Sequence, residues 1–244
     1  MKILISNDDG IFAPGIEALV HAFAVEGHEI YVCAPDSQRS AASHSLSIGK
    51  PLTVREVEYP GAVRAYAIGG TPADCVKLGL MVLCPQAEAV VSGVNRGYNV
   101  GTDILYSGTV AAAMEGAICG RPALAVSQSE KRADYTNASV LAVRMFEKMT
   151  AHPLEPLCVL NVNYPACDEI VGVATALTGQ LHYNEIYSPT VYDGMPAYSL
   201  NGLIDAGKPQ SEDYVRLEQG YATVTVLRAD LTDAGITKVW NDLV

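Results

Sequence analysis

The chain has 244 residues, 49% of them hydrophobic and 18% charged, with a formal net charge of −11 at pH 7. This fits one large α/β domain, or one domain with an extension, and no long disordered tail, and the negative charge argues against nucleic-acid polymers, whose phosphates need a basic surface. No apolar run reaches membrane-spanning length, and a strand beginning at residue 1 leaves no room for a secretory leader, so a cytoplasmic protein with no membrane partner is expected.

Met1–Ile5 is a short apolar run with β-branched members and reads as a buried strand. It stops at Ser6-Asn7-Asp8-Asp9-Gly10, and Ile16, Leu19, Val20 and Phe23 then follow at helical spacing. Asp8 and Asp9 therefore fall in a β-to-α loop at a strand's carboxyl end, the side where open α/β sheets bind ligands. Adjacent ionised carboxylates repel each other unless a cation lies beside them, so the pair points to a divalent metal. The plainer alternative is that one of them caps the helix.

His28–Cys33 reads as the second strand, and the serine-rich stretch Ser37–Ser47, with Arg39 and His44, as a loop leaving its carboxyl end near the acids. Residues 52–57 and 62–68, separated by Pro60-Gly61, suggest a hairpin or edge excursion. Thr71-Pro72 opens a helix predicted through Leu83, with Thr71 as cap. Ala87–Val91 is the next strand, and Ser92–Gly101 reads as a glycine-rich loop containing Asn95. Neither the dinucleotide fingerprint nor the G-x-x-x-x-G-K-[ST] phosphate loop occurs.

Tyr106-Ser107-Gly108-Thr109 precedes a helix over 110–119 crowded with alanine and glycine, which implies burial against the sheet. Its N-terminus, with two hydroxyls, is a site for a phosphate. Glu115 on that helix is either a satisfied buried acid or a support for the site. Strands at 123–127 and 157–162 and a helix at 135–149 continue a β-α alternation that implies a parallel sheet. Beyond about Ala166 the rhythm changes. Residues 182–205, with Tyr183, Tyr187, Tyr192 and Tyr198, read as an extended arm or long hairpin whose aromatics need a partner surface. Residues 221–227 return as a strand before a short terminal segment with Trp240. The resulting division is a core over 1–180 and an arm, returning strand and terminal segment over 181–244. The six cysteines form no C-x-x-C pair and read as buried free thiols.

The stretches Asn7-Asp8-Asp9-Gly10, Ala34-Pro35-Asp36 with Arg39-Ser40, Gly70-Thr71-Pro72-Ala73-Asp74-Cys75-Val76, Ser92-Gly93-Val94-Asn95 with Gly97 and Gly101, and Tyr106-Ser107-Gly108-Thr109-Val110 with Glu115-Gly116 occur in this order over about residues 3–127. Together they resemble the SurE family, stationary-phase survival proteins that act as metal-dependent nucleotidases. The resemblance implies a Rossmann-like core with an exchanged hairpin and a homodimer or homotetramer. It also implies one divalent cation per subunit, Mg²⁺ or Mn²⁺, on Asp8, Asp9, Ser40 and Asn95; all four offer the oxygen that hard cations prefer. The small-molecule substrate it implies is a nucleoside monophosphate, with 3′-nucleotides and polyphosphate as further substrates. The chain departs from the family pattern at Thr225-Val226-Leu227, where a proline is usual, and over residues 182–210.

The expected reaction is attack on phosphorus by a metal-activated water, with Asp8, Asp9 and Asn95 as catalytic residues. Asn95, Ser107, Gly108 and Thr109 are the expected phosphate-binding set, and His44 is a conceivable acid for the leaving group. Two rivals remain open. One is a phosphatase with an aspartyl nucleophile, which usually carries Asp-x-Asp rather than adjacent acids. The other is a non-catalytic nucleotide sensor.

Overall fold

A computed structural model describes residues 1–240. Its centre is β1 (Lys2–Ser6), flanked by β2 (Glu29–Pro35) and β5 (Ala89–Arg96), both parallel to it. From β2 the chain steps outward to the antiparallel hairpin of β3 (Val54–Val57) and β4 (Arg64–Ile68), with β4 parallel to β2. From β5 it steps the other way, through β6 (Ala123–Gln128) to β7 (Cys158–Tyr164), again in parallel. The sheet order is β3-β4-β2-β1-β5-β6-β7-β11-β8, so the direction of winding reverses between β1 and β5. A crevice forms at such a reversal, outside the carboxyl ends of the two strands.

The central strands are buried on both faces, as a covered parallel sheet requires. Side chains alternate along each strand. Ile3 and Ile5 face α1 (Pro14–Val25) and α4 (Thr136–Ala151), whereas Leu4 faces α2 (Pro72–Leu78) and α3 (Gly108–Ile118). Helix α3 lies close to the sheet because Gly116 has no side chain; a Cβ there would come within 2.7 Å of Val90.

The third parallel segment is longer than its apolar run suggests. Strand β5 continues past Val91 through Asn95, with a register shift against β6 between Ser92 and Asn95. The glycines that read as a loop are thus partly strand, and Asn95 stands on a strand end. The helix expected through Leu83 ends at Leu78 and continues as one π turn over Gly79–Leu83.

Beyond β7 the sheet gains β8 (Gly172–Thr175) and β11 (Tyr221–Arg228), the latter antiparallel to β7. Between them β9 (Tyr183–Tyr192) and β10 (Met195–Ile204), ten residues each, pair only with each other among the described residues, as a hairpin. Helices α5 (Glu212–Glu218) and α6 (Ala234–Val239) complete the described residues. All six thiols are free, but only Cys33, Cys75, Cys84 and Cys158 are buried as expected; Cys119 and Cys167 are partly exposed.

Candidate active site

The β1–α1 loop brings Asp8 and Asp9 to the crevice between β1 and β5. Asp8 is only 5% exposed, and its Oδ1 accepts a hydrogen bond from Thr109 Oγ1 at 2.5 Å. Gly108 stands against the same carboxylate: a Cβ there would lie 2.8 Å from Asp8 Cβ and 2.9 Å from Oδ2. A side chain at 108 would therefore separate α3 from the acids. Burial pushes the Asp8 carboxyl up to about 6, with the neighbouring charge of Asp9 adding to the rise and the Thr109 hydrogen bond opposing it.

Asp9 faces the other side. Its Oδ2 accepts from the Arg96 N–H at 3.3 Å and its Oδ1 from Gln38 Nε2 at 3.4 Å. Burial raises this carboxyl too, against the Arg96 N–H and guanidinium. Gln38 also donates to Ser40 Oγ at 2.9 Å, so one amide spans Asp9 and Ser40. The loop is drawn in from below by Arg39, whose N–H donates to the Asp8 carbonyl at 2.7 Å. Asn95 precedes Arg96 at the end of β5, and its Nδ2 donates to the Gly97 carbonyl at 2.8 Å, which leaves its amide oxygen free to accept.

Ser107 caps α3 through Val110 N–H at 3.1 Å. The Val110 N–H is thus taken by Ser107, and the Thr109 N–H and hydroxyl by Asp8. Gly108 N–H is the first-turn donor left over among the described residues, at the positive end of an 11-residue helix.

These oxygens suit a hard divalent cation: two carboxylates, a hydroxyl and an amide, with no His or Cys. Among the described residues no group of three or more His, Cys, Asp or Glu side chains could hold a metal, which leaves zinc-type ligation without a candidate. Two desolvated acids with raised carboxyl pKa values also leave negative charge that a cation would neutralise.

His44 does not face the acids. Its Nε2 lies 2.9 Å from Glu115 Oε2, while Lys77 Nζ donates to Glu115 Oε1 at 2.6 Å. Glu115 is thus a satisfied buried acid, its carboxylate held below the usual range first by His44 and then, against burial, by Lys77.

Several supporting residues escape sequence reading. Gln38 lacks any motif and acts through a fold contact. Asn161 and Asn163, on one face of β7, both donate to the Asn99 carbonyl at 2.9 and 3.0 Å, and Asn99 Nδ2 donates to Ser127 at 2.8 Å. This network anchors the loop after β5. Its trace in the sequence is the alternation of two asparagines within an otherwise apolar strand.

The sequence model of the family described as survival protein SurE matches residues 3–185. The chain belongs to the SurE family. Curated SurE relatives named 5′-nucleotidase align over nearly the whole chain. One from Synechococcus elongatus is 41% identical, covering 95% of each protein, and one from Clostridium botulinum is 40% identical, covering 100% of this chain and 99% of the relative. The crystal structure of the SurE protein from Aquifex aeolicus superposes with a TM-score of 0.86 at 34% identity, covering 100% of this chain and 99% of that one.

Proposed function

We propose that this SurE chain is a divalent-metal-dependent 5′-nucleotidase, a phosphoric monoester hydrolase acting on nucleoside monophosphates. The observation that carries the reading is the buried contact between Asp8 and the N-terminal turn of α3, which sets a carboxylate pair against an anion-binding helix end. The names of relatives aligned over nearly the full chain support the nucleotidase activity.

In this reading Asp8, Asp9, Ser40 and Asn95 hold one Mg²⁺ or Mn²⁺. When bound, the cation supplies positive charge opposite the phosphate and makes water a better nucleophile at neutral pH. The chain's own groups do the rest. Gly108 N–H and the α3 dipole receive the phosphoryl oxygens as their charge redistributes, while Ser107 and Thr109 fix the turn that presents them. Asn95 orients a phosphoryl oxygen from the β5 side. Burial of Asp8 keeps bulk water away from the carboxylate that touches this turn.

The proposal extends to 3′-nucleotides and short polyphosphate as secondary substrates, and to a cytoplasmic location, which six free thiols suit. No helix among the described residues is long and apolar enough to cross a membrane.

It also extends to a homo-oligomer. The register of β9 with β10 puts Tyr187 opposite Leu200, Pro189 opposite Tyr198 and Val191 opposite Pro196, all on one face. Tyr187, Val191, Tyr198 and Leu200 are each more than half exposed. Beside α3 a recess of about 630 Å³, lined by Ala111, Met114, Ile118, Val226 and Leu231, offers an apolar surface of the kind such a face covers.

The test is phosphate release from nucleoside 5′- and 3′-monophosphates and tripolyphosphate, by wild type and Asp9→Asn. Release that is fastest with a 5′-monophosphate and lost in the variant supports the reading. Binding of nucleotide with no release from any of them leaves a sensor.

A further inference from the structure

Ser40 sits in a segment whose backbone is held in an unfavourable shape. Ala41 and Ser43 both have positive φ, 54° and 53°, although neither is glycine. Side chains with a Cβ avoid this region, so such residues persist only where surrounding contacts over-determine them. Ser40 directly precedes the first of the pair, and its hydroxyl is one end of the Gln38 bridge to Asp9.

Besides the bonds of Ser45 Oγ to the Ala42 carbonyl at 2.8 Å and of Thr71 Oγ1 to the Ser45 carbonyl at 2.7 Å, few contacts hold the segment. Ser43 donates through its N–H to the Tyr106 carbonyl at 3.1 Å and through Oγ to the Leu105 carbonyl at 2.7 Å. Ser47 donates to Asp74 through N–H and Oγ, at the far end of the loop. Between them, the His44–Glu115 contact is the loop's side-chain link to α3 among the described residues. Glu115 divides its oxygens, Oε1 to Lys77 and Oε2 to His44, and its side chain is 3% exposed. The Cys119 thiol, 3.8 Å from Oε1, is a further, weaker partner, and a buried carboxylate with both oxygens partnered is fixed in place and costly to leave half-satisfied. It is a rigid post on the same helix whose first turn touches Asp8.

We propose that Glu115 is the positioning residue for the Ser40 loop: through His44 it holds Ala41 and Ser43 in their left-handed conformations and keeps Ser40 beside Asp9. The inference rests on the reading of Asp8, Asp9, Ser40 and Asn95 as cation ligands. Lys77 aims Glu115 from the α2 side, so the three side chains tie α2, α3 and the loop into one unit. His44 neither touches the acids nor transfers a proton in this role. Its loss loosens a ligand of the cation and leaves the chemistry that follows intact.

The experiment measures Mn²⁺ binding by the electron paramagnetic resonance signal of the free ion, together with the Mn²⁺ dependence of nucleotide hydrolysis. It uses full-length wild type, His44→Ala, His44→Gln and Glu115→Gln. Outer partners of metal ligands typically tune affinity by about 10- to 100-fold. His44→Ala is expected to weaken Mn²⁺ binding roughly tenfold while kcat at saturating Mn²⁺ stays within about twofold. His44→Gln, whose Nε2 reaches a similar point, recovers most of the affinity. Glu115→Gln follows His44→Ala; because His44 is a third exposed, the His44 variants carry the test if the Glu115 variant does not fold. Unchanged Mn²⁺ affinity in folded His44→Ala overturns the proposal. So does a loss of kcat at unchanged affinity, which would make His44 a participant in the reaction. A wild type that binds no Mn²⁺ overturns the cation reading and this inference with it, an outcome separate from failure of the variants alone.

Discussion

The β1–α1 loop and the β9–β10 hairpin depart from the usual folding pattern in opposite directions. The loop buries charge, with Asp8 5% exposed, whereas the hairpin exposes apolar side chains, with Tyr187, Tyr198 and Val191 about two-thirds or more exposed. Each arrangement costs stability in an isolated chain, by desolvating an anion in one case and by leaving apolar area in water in the other. Both therefore point outside the chain: the loop to a cation and an anionic substrate, the hairpin to protein surface. What distinguishes them is the support behind them. The acids are fixed by bonds to three separate elements, and the hairpin strands pair only with each other.

The sharpest way to break the comparison is at the acids. Asp9→Asn is expected to lower nucleotide hydrolysis by a factor on the order of 10²–10³, the scale seen when a preorganised charge-stabilising group is removed, as read from phosphate release under saturating Mg²⁺. Gly108→Ala, which adds a methyl 2.8 Å from Asp8 Cβ, is expected to lower kcat/KM by roughly tenfold or more, because small displacements at a reacting site are amplified in rate. The same methyl meets Pro72 Cγ at 3.0 Å, so the variant is also expected to lose about 1–3 kcal/mol of stability, read from denaturant unfolding.

Next in size is a stability effect of opposite sign to the activity effect. The Asp8 carboxyl is raised from 3.8 to about 6, so the folded state favours its protonated form. That contribution is fully present below pH 3.8 and is lost as pH rises through 6. Asp8→Asn should therefore stabilise chelator-treated protein at pH 7.5, by on the order of 2 kcal/mol, and by less at pH 5, where Asp8 is already largely protonated. Denaturant unfolding at the two pH values measures the difference. A variant less stable than wild type at pH 7.5 would show that the burial of Asp8 is not a cost the cation offsets.

The hairpin gives the smallest effect on chemistry. Tyr198→Glu or Leu200→Glu places charge on its apolar face and is expected to shift the protein from oligomer to monomer in light scattering, with core stability changed by less than about 0.5 kcal/mol, as for ordinary surface sites. A wild type that is monomeric at high concentration would remove the hairpin from the comparison.

How much of this was legible in the sequence follows the same division. The acids after the first strand, the capped helix at Thr71 and the small-residue helix after Ser107 were readable because each rests on local pattern: an apolar run, a capping box, a helix that must be thin. The strand alternation also announces the parallel sheet and hence the side on which the candidate residues gather. Asn95 reads as loop because Gly93 and Gly97 look like turn residues, whereas β5 runs through Gly93 to Arg96 and resumes its pairing with β6 at Asn95. Gln38, Asn163 and the partners of Glu115 were illegible for a different reason. Their roles depend on contacts between residues 29, 64 and 71 positions apart, which no window on the sequence contains. The hairpin was visible as an arm, but its apolar face emerges only when the register pairs Tyr187 with Leu200.

The most direct measurement is a titration of Mg²⁺ or Mn²⁺ into EDTA-treated enzyme while phosphate release from a nucleoside 5′-monophosphate is followed. The account predicts no release before the cation is added, a saturable rise as it is added, and no such rise in Asp9→Asn. Release that persists in EDTA, or that returns equally in the variant, would contradict it.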